Sequence, residues 1–148
     1  MNYEIKNEEK FHYLEIGEGE PLMLLHGLFG ALSNFSDLIE HFKDKYKVVV
    51  PIMPLFDLDL LHTSVSGLAK YIHQFIEYKG YNNIHLLGNS LGGHVGLVHV
   101  LKHPEKIKSL TLTGSSGLFE SAMGDTYPKR GDYEYIKNKL NYILFRNY

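Results

Sequence analysis

The chain has 148 residues, of which 44% are hydrophobic and 22% charged, and its net charge is -2 when histidines are neutral. This length suffices for one compact domain with a core, and the composition excludes a disordered chain. Lysine and arginine are scattered, so we expect no nucleic-acid partner and no membrane association. The absence of cysteine excludes disulfides, thiolate metal sites and a cysteine nucleophile. Without a signal-peptide pattern or a spanning apolar run, a cytoplasmic protein is expected.

The first part of the chain alternates between strand and helix patterns. Residues 10–20 alternate and then reach glycines, which predicts a strand entering a hairpin or loop. Continuous apolar runs at 21–27 and 46–53 are typical of strands buried in a parallel sheet. Between them, Ser33 or Asn34 is expected to cap a helix. Its apolar face would consist of Phe35, Leu38, Ile39 and Phe42.

The same alternation continues in the next sixty residues. Ser64 is predicted to cap a helix that ends at Gly80. A strand at 83–89, a helix at 91–103 and a strand at 107–117 follow. This order predicts an α/β fold, with a mostly parallel sheet flanked by helices and right-handed crossovers.

The last residues have a different pattern. Residues 1–117 are expected to form the sheet core, whereas residues 118–148 contain no strand pattern. Four apolar residues there share helical spacing and predict a helix with one apolar face: Ile136, Leu140, Ile143 and Leu144.

The sequence "GNSLGG" at 88–93 lies between a predicted strand and a predicted helix. It matches G-x-S-x-G, in which a sharp turn exposes a nucleophilic serine, here Ser90. Side chains at Gly88 and Gly92 would obstruct the close approach of strand and helix. The backbone N–H of Leu91, at the start of the helix, is then one predicted oxyanion-hole donor. The "HGLFG" turn at 26–30 is placed to supply the second, from the N–H of Leu28.

The same glycines match neither of two cofactor-binding motifs. Gly88 and Gly93 have the spacing of a phosphate-binding P-loop, but His94 and Val95 follow in place of lysine and Ser/Thr. The dinucleotide pattern G-x-G-x-x-G is absent from this stretch. The sequence therefore predicts no cofactor, and a nucleotide-binding α/β protein is disfavoured.

These residues resemble the α/β-hydrolase fold family and, within it, the meta-cleavage-product hydrolase and carboxylesterase group. The resemblance rests on "LLHGLFG" and "GNSLGGHVGLVHVLKHPEKIKSLTLTGSSG" and covers about residues 10–136. It implies a serine hydrolase of small-molecule esters or ketones, with Ser90 as nucleophile and the backbones of Leu28 and Leu91 as oxyanion donors. Serine rather than aspartate at the elbow disfavours haloalkane dehalogenases and epoxide hydrolases. The loop "PLFD" at 54–57 departs from the Pro-Gly-aromatic-Gly turn of many relatives.

A base for the serine is not evident. The triad order in this fold is serine, acid, histidine. The histidines after Ser90 are His94, His99 and His103, all on the helix that the elbow begins and that should pack against the sheet. His26 is expected to brace the oxyanion loop rather than to act as base.

Other candidate groups have simpler interpretations. His99 and His103 have the i, i+4 spacing of a metal pair, but without a third ligand they are interpreted as surface histidines. Asp125 and Asp132 are interpreted as surface charges rather than the triad acid.

We therefore expect a truncated hydrolase that ends within its lid, since the resembling enzymes place the acid and histidine after two further strands. The alternative is a catalytically inactive remnant that acts as a binding or pairing module. An open edge at the last strand would favour self-association.

Overall fold

The structure, a computed structural model, describes residues 3–27, 32–55 and 64–115. Six strands form one sheet in the order β1-β2-β4-β3-β5-β6. The strands are β1 (Lys6–Glu8), β2 (Phe11–Ile16), β3 (Pro21–Leu25), β4 (Lys47–Pro51), β5 (Ile84–Asn89) and β6 (Ile107–Thr113). The α-helices are α1 (Ser36–Phe42), α2 (Val65–Lys79) and α3 (Leu91–Lys102), and short 3-10 turns occupy Leu32–Phe35 and Pro104–Lys106.

The parallel part of the sheet confirms the predicted α/β fold. Strand β3 pairs in parallel with β4 and β5, and β5 pairs in parallel with β6. Strands β3, β4 and β5 are short, largely apolar segments, whereas β6 alternates apolar and polar residues. Helices α1, α2 and α3 connect the four strands in chain order. Such connections between parallel strands need a crossover, which the helices supply. The carboxyl ends of β3 and β5 therefore meet at one edge of the sheet.

The amino-terminal strands differ from the prediction. Strand β2 pairs antiparallel with the polar strand β1, which the apolar pattern did not indicate, and with β4 on its other side. The tight turn therefore precedes β2, at Glu9 and Lys10, and residues 17–20 instead carry the chain past β4 to β3. Strand β1 was missed because a short edge strand of polar residues carries no hydrophobic signal.

Apolar side chains cover both faces of the sheet. One face packs against α2 and α3, with Phe75 and Val98 among the buried residues, and the other packs against α1 through Phe35 and Ile39. Leu38 and Phe42 of α1 are partly buried against the same cluster, as their spacing predicted. The predicted cap of this helix was wrong, because the 3-10 turn precedes it and Phe35 occupies the N-cap position.

Helix α2 has the predicted ends. The Ser64 hydroxyl accepts the backbone N–H of Gly67 at 3.0 Å, and Gly80 ends the helix in the left-handed conformation at φ 66°. Its apolar face is buried at Leu68, Ile72, Phe75 and Ile76.

Helix α3 is largely buried. Its buried residues include Val95, Leu97, Val98 and His99. The interpretation of His99 as a surface residue was wrong, since its exposed fraction is 0%. Helix α2 packs against this side of α3 and brings the His73 ring to 5.7 Å from that of His99, measured between centroids.

Strand β6 is the last described strand and pairs only with β5 within the described residues. None of its residues is buried. The predicted strand 107–117 ends at Thr113, and the predicted lid region 118–148 lies outside the described residues.

Replacing Ser64 with alanine removes the oxygen that accepts the Gly67 N–H. We expect the free energy of unfolding to fall by about 1 kcal/mol, measured by urea denaturation. Ser64→Asp keeps an acceptor and should remain close to the wild type. Equal losses in the two variants would contradict a capping role.

Burial lowers the pKa of His99 from 6.5 to about 4, and the neighbouring His103 and His73 act in the same direction. Because this pKa lies below that of the unfolded chain, the associated stability is present above pH 6.5 and is lost as the pH falls towards 4. Between about pH 7 and pH 5, the wild type should lose about 2 kcal/mol more unfolding free energy than His99→Leu. Urea denaturation at both pH values measures this. The exposed His41, as His41→Gln, is the control, and parallel profiles of His99→Leu and wild type would contradict the assignment.

Candidate active site

Ser90 lies at the turn between β5 and α3, as the motif predicted. It is the N-cap residue of α3, with φ 52° and ψ -117°, and its side chain is exposed. A positive φ is uncommon for a residue other than glycine and costs on the order of 1–3 kcal/mol. The turn thus holds an exposed hydroxyl in a strained backbone conformation at the carboxyl edge of the sheet.

Two glycines allow this turn. A Cβ atom on Gly88 would lie 2.5 Å from the Cα atom of Gly93, and one on Gly92 would overlap the carbonyl oxygen of Leu25. Contacts with backbone atoms cannot be relieved by a rotamer change. The predicted close approach of strand and helix is therefore present, and α3 begins directly against the ends of β3 and β5.

The end of β6 fixes the turn from the other side. The backbone N–H of Ser90 donates to the carbonyl oxygen of Thr113 at 3.0 Å. The Asn89 amide donates to the same carbonyl oxygen at 3.1 Å and to the Thr113 hydroxyl at 3.0 Å. Sequence reasoning missed these contacts. Their signal was present, because "GN" and "LT" end neighbouring parallel strands.

The "HG" turn lies beside the serine. A Cβ atom on Gly27 would be 3.2 Å from the Cβ atom of Ser90, so the backbone of this turn approaches the elbow closely. The predicted donor that follows, Leu28, lies outside the described residues. The other predicted donor, Leu91, is the first residue of α3, and the N–H of a first helical residue has no acceptor within its helix.

His26 braces this turn. Its Nδ1 atom is 2.8 Å from the carbonyl oxygen of Gly27, and its Nε2 atom accepts the N–H of Met53 at 3.1 Å. Since a carbonyl can only accept, the proton is on Nδ1 and both ring nitrogens are engaged by backbone groups. These two contacts agree with the predicted bracing role of His26. They also join the end of β3 to the end of β4.

The remaining candidates lie elsewhere. Among the described residues, no hydrogen bond joins the Ser90 hydroxyl to a histidine. His94 is half-buried one turn into α3, and burial lowers its pKa. Asp125 and Asp132 lie outside the described residues. In the described ranges, no group of three histidine, cysteine or acidic residues is placed to hold a metal ion.

Within residues 3–27, 32–55 and 64–115, no helix has the length and apolar character needed to cross a membrane.

Comparisons with known proteins agree with this geometry. Residues 20–141 match the family model of the alpha/beta hydrolase fold. "Lipase 1" of Psychrobacter immobilis is 30% identical over 78% of this chain and 38% of its own length. The "2-hydroxy-6-oxo-6-phenylhexa-2,4-dienoate hydrolase" of Comamonas testosteroni is 33% identical over 72% of this chain and 40% of its own length. The chain thus spans about two fifths of these relatives.

Solved structures show the same fold. An alpha/beta hydrolase enzyme from the sediment metagenome of the Mar Chica lagoon, Morocco, superposes with a TM-score of 0.75 and 52% identity, over 79% of this chain and 54% of its own. An epoxide hydrolase of Bacillus megaterium, at 21% identity and a TM-score of 0.68, shows the fold alone. The family match, the sheet order and the strand–turn–helix at Ser90 lead to one conclusion: this chain belongs to the α/β-hydrolase fold family.

Proposed function

We propose that the chain is the amino-terminal part of a serine hydrolase in which Ser90 is the nucleophile. The observation that carries this proposal is the exposed Ser90 hydroxyl on a strained turn at the carboxyl edge of the sheet, beside the backbone of Gly27. Ligands of open α/β sheets bind at this edge. Packing does not require the strain at Ser90, since a glycine at position 90 would form the same turn without it.

The proposed substrate is either a carboxylic ester or a ketone. In the ketone, the bond that is cleaved is the carbon–carbon bond beside the carbonyl group. Relatives named as lipases and as dienoate hydrolases support these two alternatives. In ester cleavage the Ser90 oxygen attacks the carbonyl carbon and its proton passes to a base. The alcohol then leaves with that proton, and water hydrolyses the acyl-enzyme. For the carbon–carbon bond, a gem-diol is the alternative to the acyl-enzyme.

The negative charge of the tetrahedral intermediate would face the beginning of α3. The Leu91 N–H is the first donor, and the positive end of the helix adds to it. The Leu28 N–H is the second donor in this proposal. Bracing by His26 would hold the turn, because a donor must be in place before charge develops.

The histidine and the acid of the catalytic triad would come from a part of the protein beyond the described residues. His26 is engaged by two backbone groups, and the histidines of α3 show no hydrogen bond to Ser90 within the described residues. The curated relatives are more than twice as long as the part matched here. We therefore infer that the parent enzyme contains the histidine and the acid in the part of its length that residues 1–148 do not cover.

The alternative function is a catalytically inactive remnant that acts as a pairing module. Strand β6, which pairs on one side only within the described residues, favours it. An unpaired strand edge is a template for another strand. Labelling of the serine distinguishes the two functions, because a pairing module needs no activated hydroxyl.

A fluorophosphonate probe measures whether Ser90 is activated. In the longer product of the reading frame, where one exists, we expect rapid labelling at Ser90 and none in Ser90→Ala, both read by mass spectrometry of the intact protein and its peptides. Residues 1–148 alone should label at least about a hundredfold more slowly, because a general base contributes roughly 10²–10⁴-fold.

Three outcomes would contradict parts of this proposal. Labelling that survives Ser90→Ala would remove Ser90 as nucleophile. Rapid labelling of residues 1–148 would place the base within this chain. A reading frame that ends at residue 148, together with unlabelled protein, would leave the pairing module.

The close approach at Gly92 provides a second test. Gly92→Ala places a methyl group on the Leu25 carbonyl oxygen, so we expect a loss of about 3 kcal/mol of unfolding free energy, together with slower labelling. Gly96→Ala on the same helix is the control, since its Cβ atom would meet the flexible end of the Leu86 side chain at 3.1 Å. It should cost less and leave labelling unchanged. Equal effects of the two variants would contradict a specific constraint at the elbow.

A further inference from the structure

Four polar side chains meet at the amino edge of the sheet, opposite to the edge that holds Ser90. Glu20 directly precedes β3, and His85 is the second residue of β5. Lys108 and Ser109 lie near the start of β6. His85 precedes Ser90 by five positions along β5, which corresponds to about 16 Å in an extended strand. These four residues, the amino-edge cluster, are therefore separate from the proposed active site.

A β-bulge in β6 sets the geometry of the amino-edge cluster. Ile84 is paired with Ile107, but the next residue of β5, His85, is paired with Ser109. Lys108 is thus the extra residue of β6, and in a regular ladder it would stand opposite His85 itself. The bulge places a hydroxyl rather than an ammonium group opposite the imidazole. Bulges occur often beside active sites, where they re-aim a side chain.

The His85 ring is held at both nitrogens. Its Nδ1 atom lies 2.7 Å from the Ser109 hydroxyl oxygen, and its Nε2 atom lies 3.3 Å from Oε2 of Glu20. The Tyr46 ring meets the imidazole edge to face, with centroids 5.4 Å apart and planes inclined by 77°. These three contacts fix the orientation of the ring between the carboxylate and the hydroxyl.

The Glu20 carboxylate determines which nitrogen carries the proton. Lys108 donates to its two oxygens at 2.8 and 2.7 Å. Hydrogen bonds from Lys108 and from His85 lower the pKa of the Glu20 carboxyl, so that it is ionised at neutral pH. Because an ionised carboxylate can only accept, the proton of the neutral ring is on Nε2. The Nδ1 lone pair then accepts the O–H of Ser109.

This arrangement has the parts that activate a serine nucleophile. A hydroxyl donates to an imidazole nitrogen, and a carboxylate orients the imidazole from its other side. Ser109 and Glu20 are exposed and His85 is partly buried, so small molecules have access to the hydroxyl from solvent. The geometry therefore supports chemistry at Ser109 as well as a structural contact between β5 and β6.

We propose that Ser109 is a second nucleophile of this chain, which takes an acyl group from a small aryl ester. His85 is the general base, and Glu20 is a positioning residue that acts through His85. The Ser109 oxygen attacks the acyl carbon, its proton passes to Nδ1 of His85, and the phenolate leaves. Water then attacks the acyl-serine and gives up a proton to His85, which releases the carboxylic acid and restores the Ser109 hydroxyl.

The position of Ser109 on a strand limits its substrates and its rate. It is exposed on β6, away from the described helix N-termini that offer unpaired N–H groups to an oxyanion. One oxyanion-hole donor is worth about 10²–10³ in rate, so only esters with a good leaving group should react. For the same reason, reaction at Ser109 should be too slow to appear during rapid fluorophosphonate labelling of Ser90.

Acetylation by p-nitrophenyl acetate tests the proposal directly. Residues 1–148 carrying Ser90→Ala serve as the parent, so that the outcome is independent of the function proposed for Ser90. We expect one ester-bound acetyl group, located at Ser109 by peptide mass spectrometry. Neutral hydroxylamine removes acetyl from serine and leaves it on lysine, which separates the reaction from unspecific lysine acetylation. Thr111, the next exposed hydroxyl on the same face of β6, is the internal control and should stay unmodified.

Matched variants assign the roles. His85→Gln should slow acetylation of Ser109 about a hundredfold, because it removes the base. His12→Gln, which replaces an exposed histidine bound to Asn7 on another strand, should leave the rate unchanged. Glu20→Ala should slow the reaction about tenfold. Glu20→Gln has the same charge as Glu20→Ala but keeps an oxygen acceptor for the Nε2–H, so it should recover part of the rate. Far-UV circular dichroism shows that each compared variant is folded.

Three results would overturn the proposal. Absence of ester-bound acetyl at Ser109 would leave the amino-edge cluster a structural contact only. Equal rates in the parent and in folded His85→Gln would remove His85 as the base. Modification of Thr111 as fast as that of Ser109 would show that exposure, and not activation, governs the reaction.

Discussion

The close approach of α3 to the ends of β3 and β5 is the constraint on which the rest of the site depends. Only backbone lies between the helix start and the strands, because Gly88 and Gly92 have no Cβ atoms to separate them. The chain must then reverse within one residue, and Ser90 accepts the strained conformation. Hydrogen bonds to Thr113 offset part of this strain by fixing the residue and its neighbour to β6. A strained turn persists only when its surroundings over-determine it, and here three strands do so.

The strand order places the segment after β3 beside the turn that holds Ser90. Because β3 lies between β4 and β5, the segment after β3 is next to the elbow and also next to the end of β4. His26 uses both positions, since one nitrogen binds the backbone of its own turn and the other the N–H of Met53. A histidine used this way has a fixed ring orientation. It is suited to holding backbone groups beside Ser90 and unsuited to accepting the serine proton.

Local sequence patterns predict most of the helices and strands. They do not predict features that depend on contacts between separate elements. The buried strands are apolar runs and α2 has a capping serine and a terminal glycine, so each is readable from a few neighbouring residues. Strand β1 is polar on an edge and carries no such signal. His99 resembles a surface residue by type and spacing, and only the packing of α2 against α3 buries it. The Asn89–Thr113 contact required the order of strands in the sheet, which single-element patterns do not contain.

Helix α3 combines two opposite electrostatic environments. Its first turn, at the elbow, presents N–H groups and positive partial charge, which suits the negative charge that develops in acyl transfer. Its last turn carries negative partial charge, and there the sequence places His99, Lys102 and His103. Between the two ends the helix is apolar and contains Gly96, which allows close packing on the sheet. A histidine enclosed among such residues gains little from packing that leucine would not supply. Within the described residues, neither ring nitrogen of His99 has a hydrogen-bond partner, so its burial opposes the stability of the helix pair by about 1–3 kcal/mol.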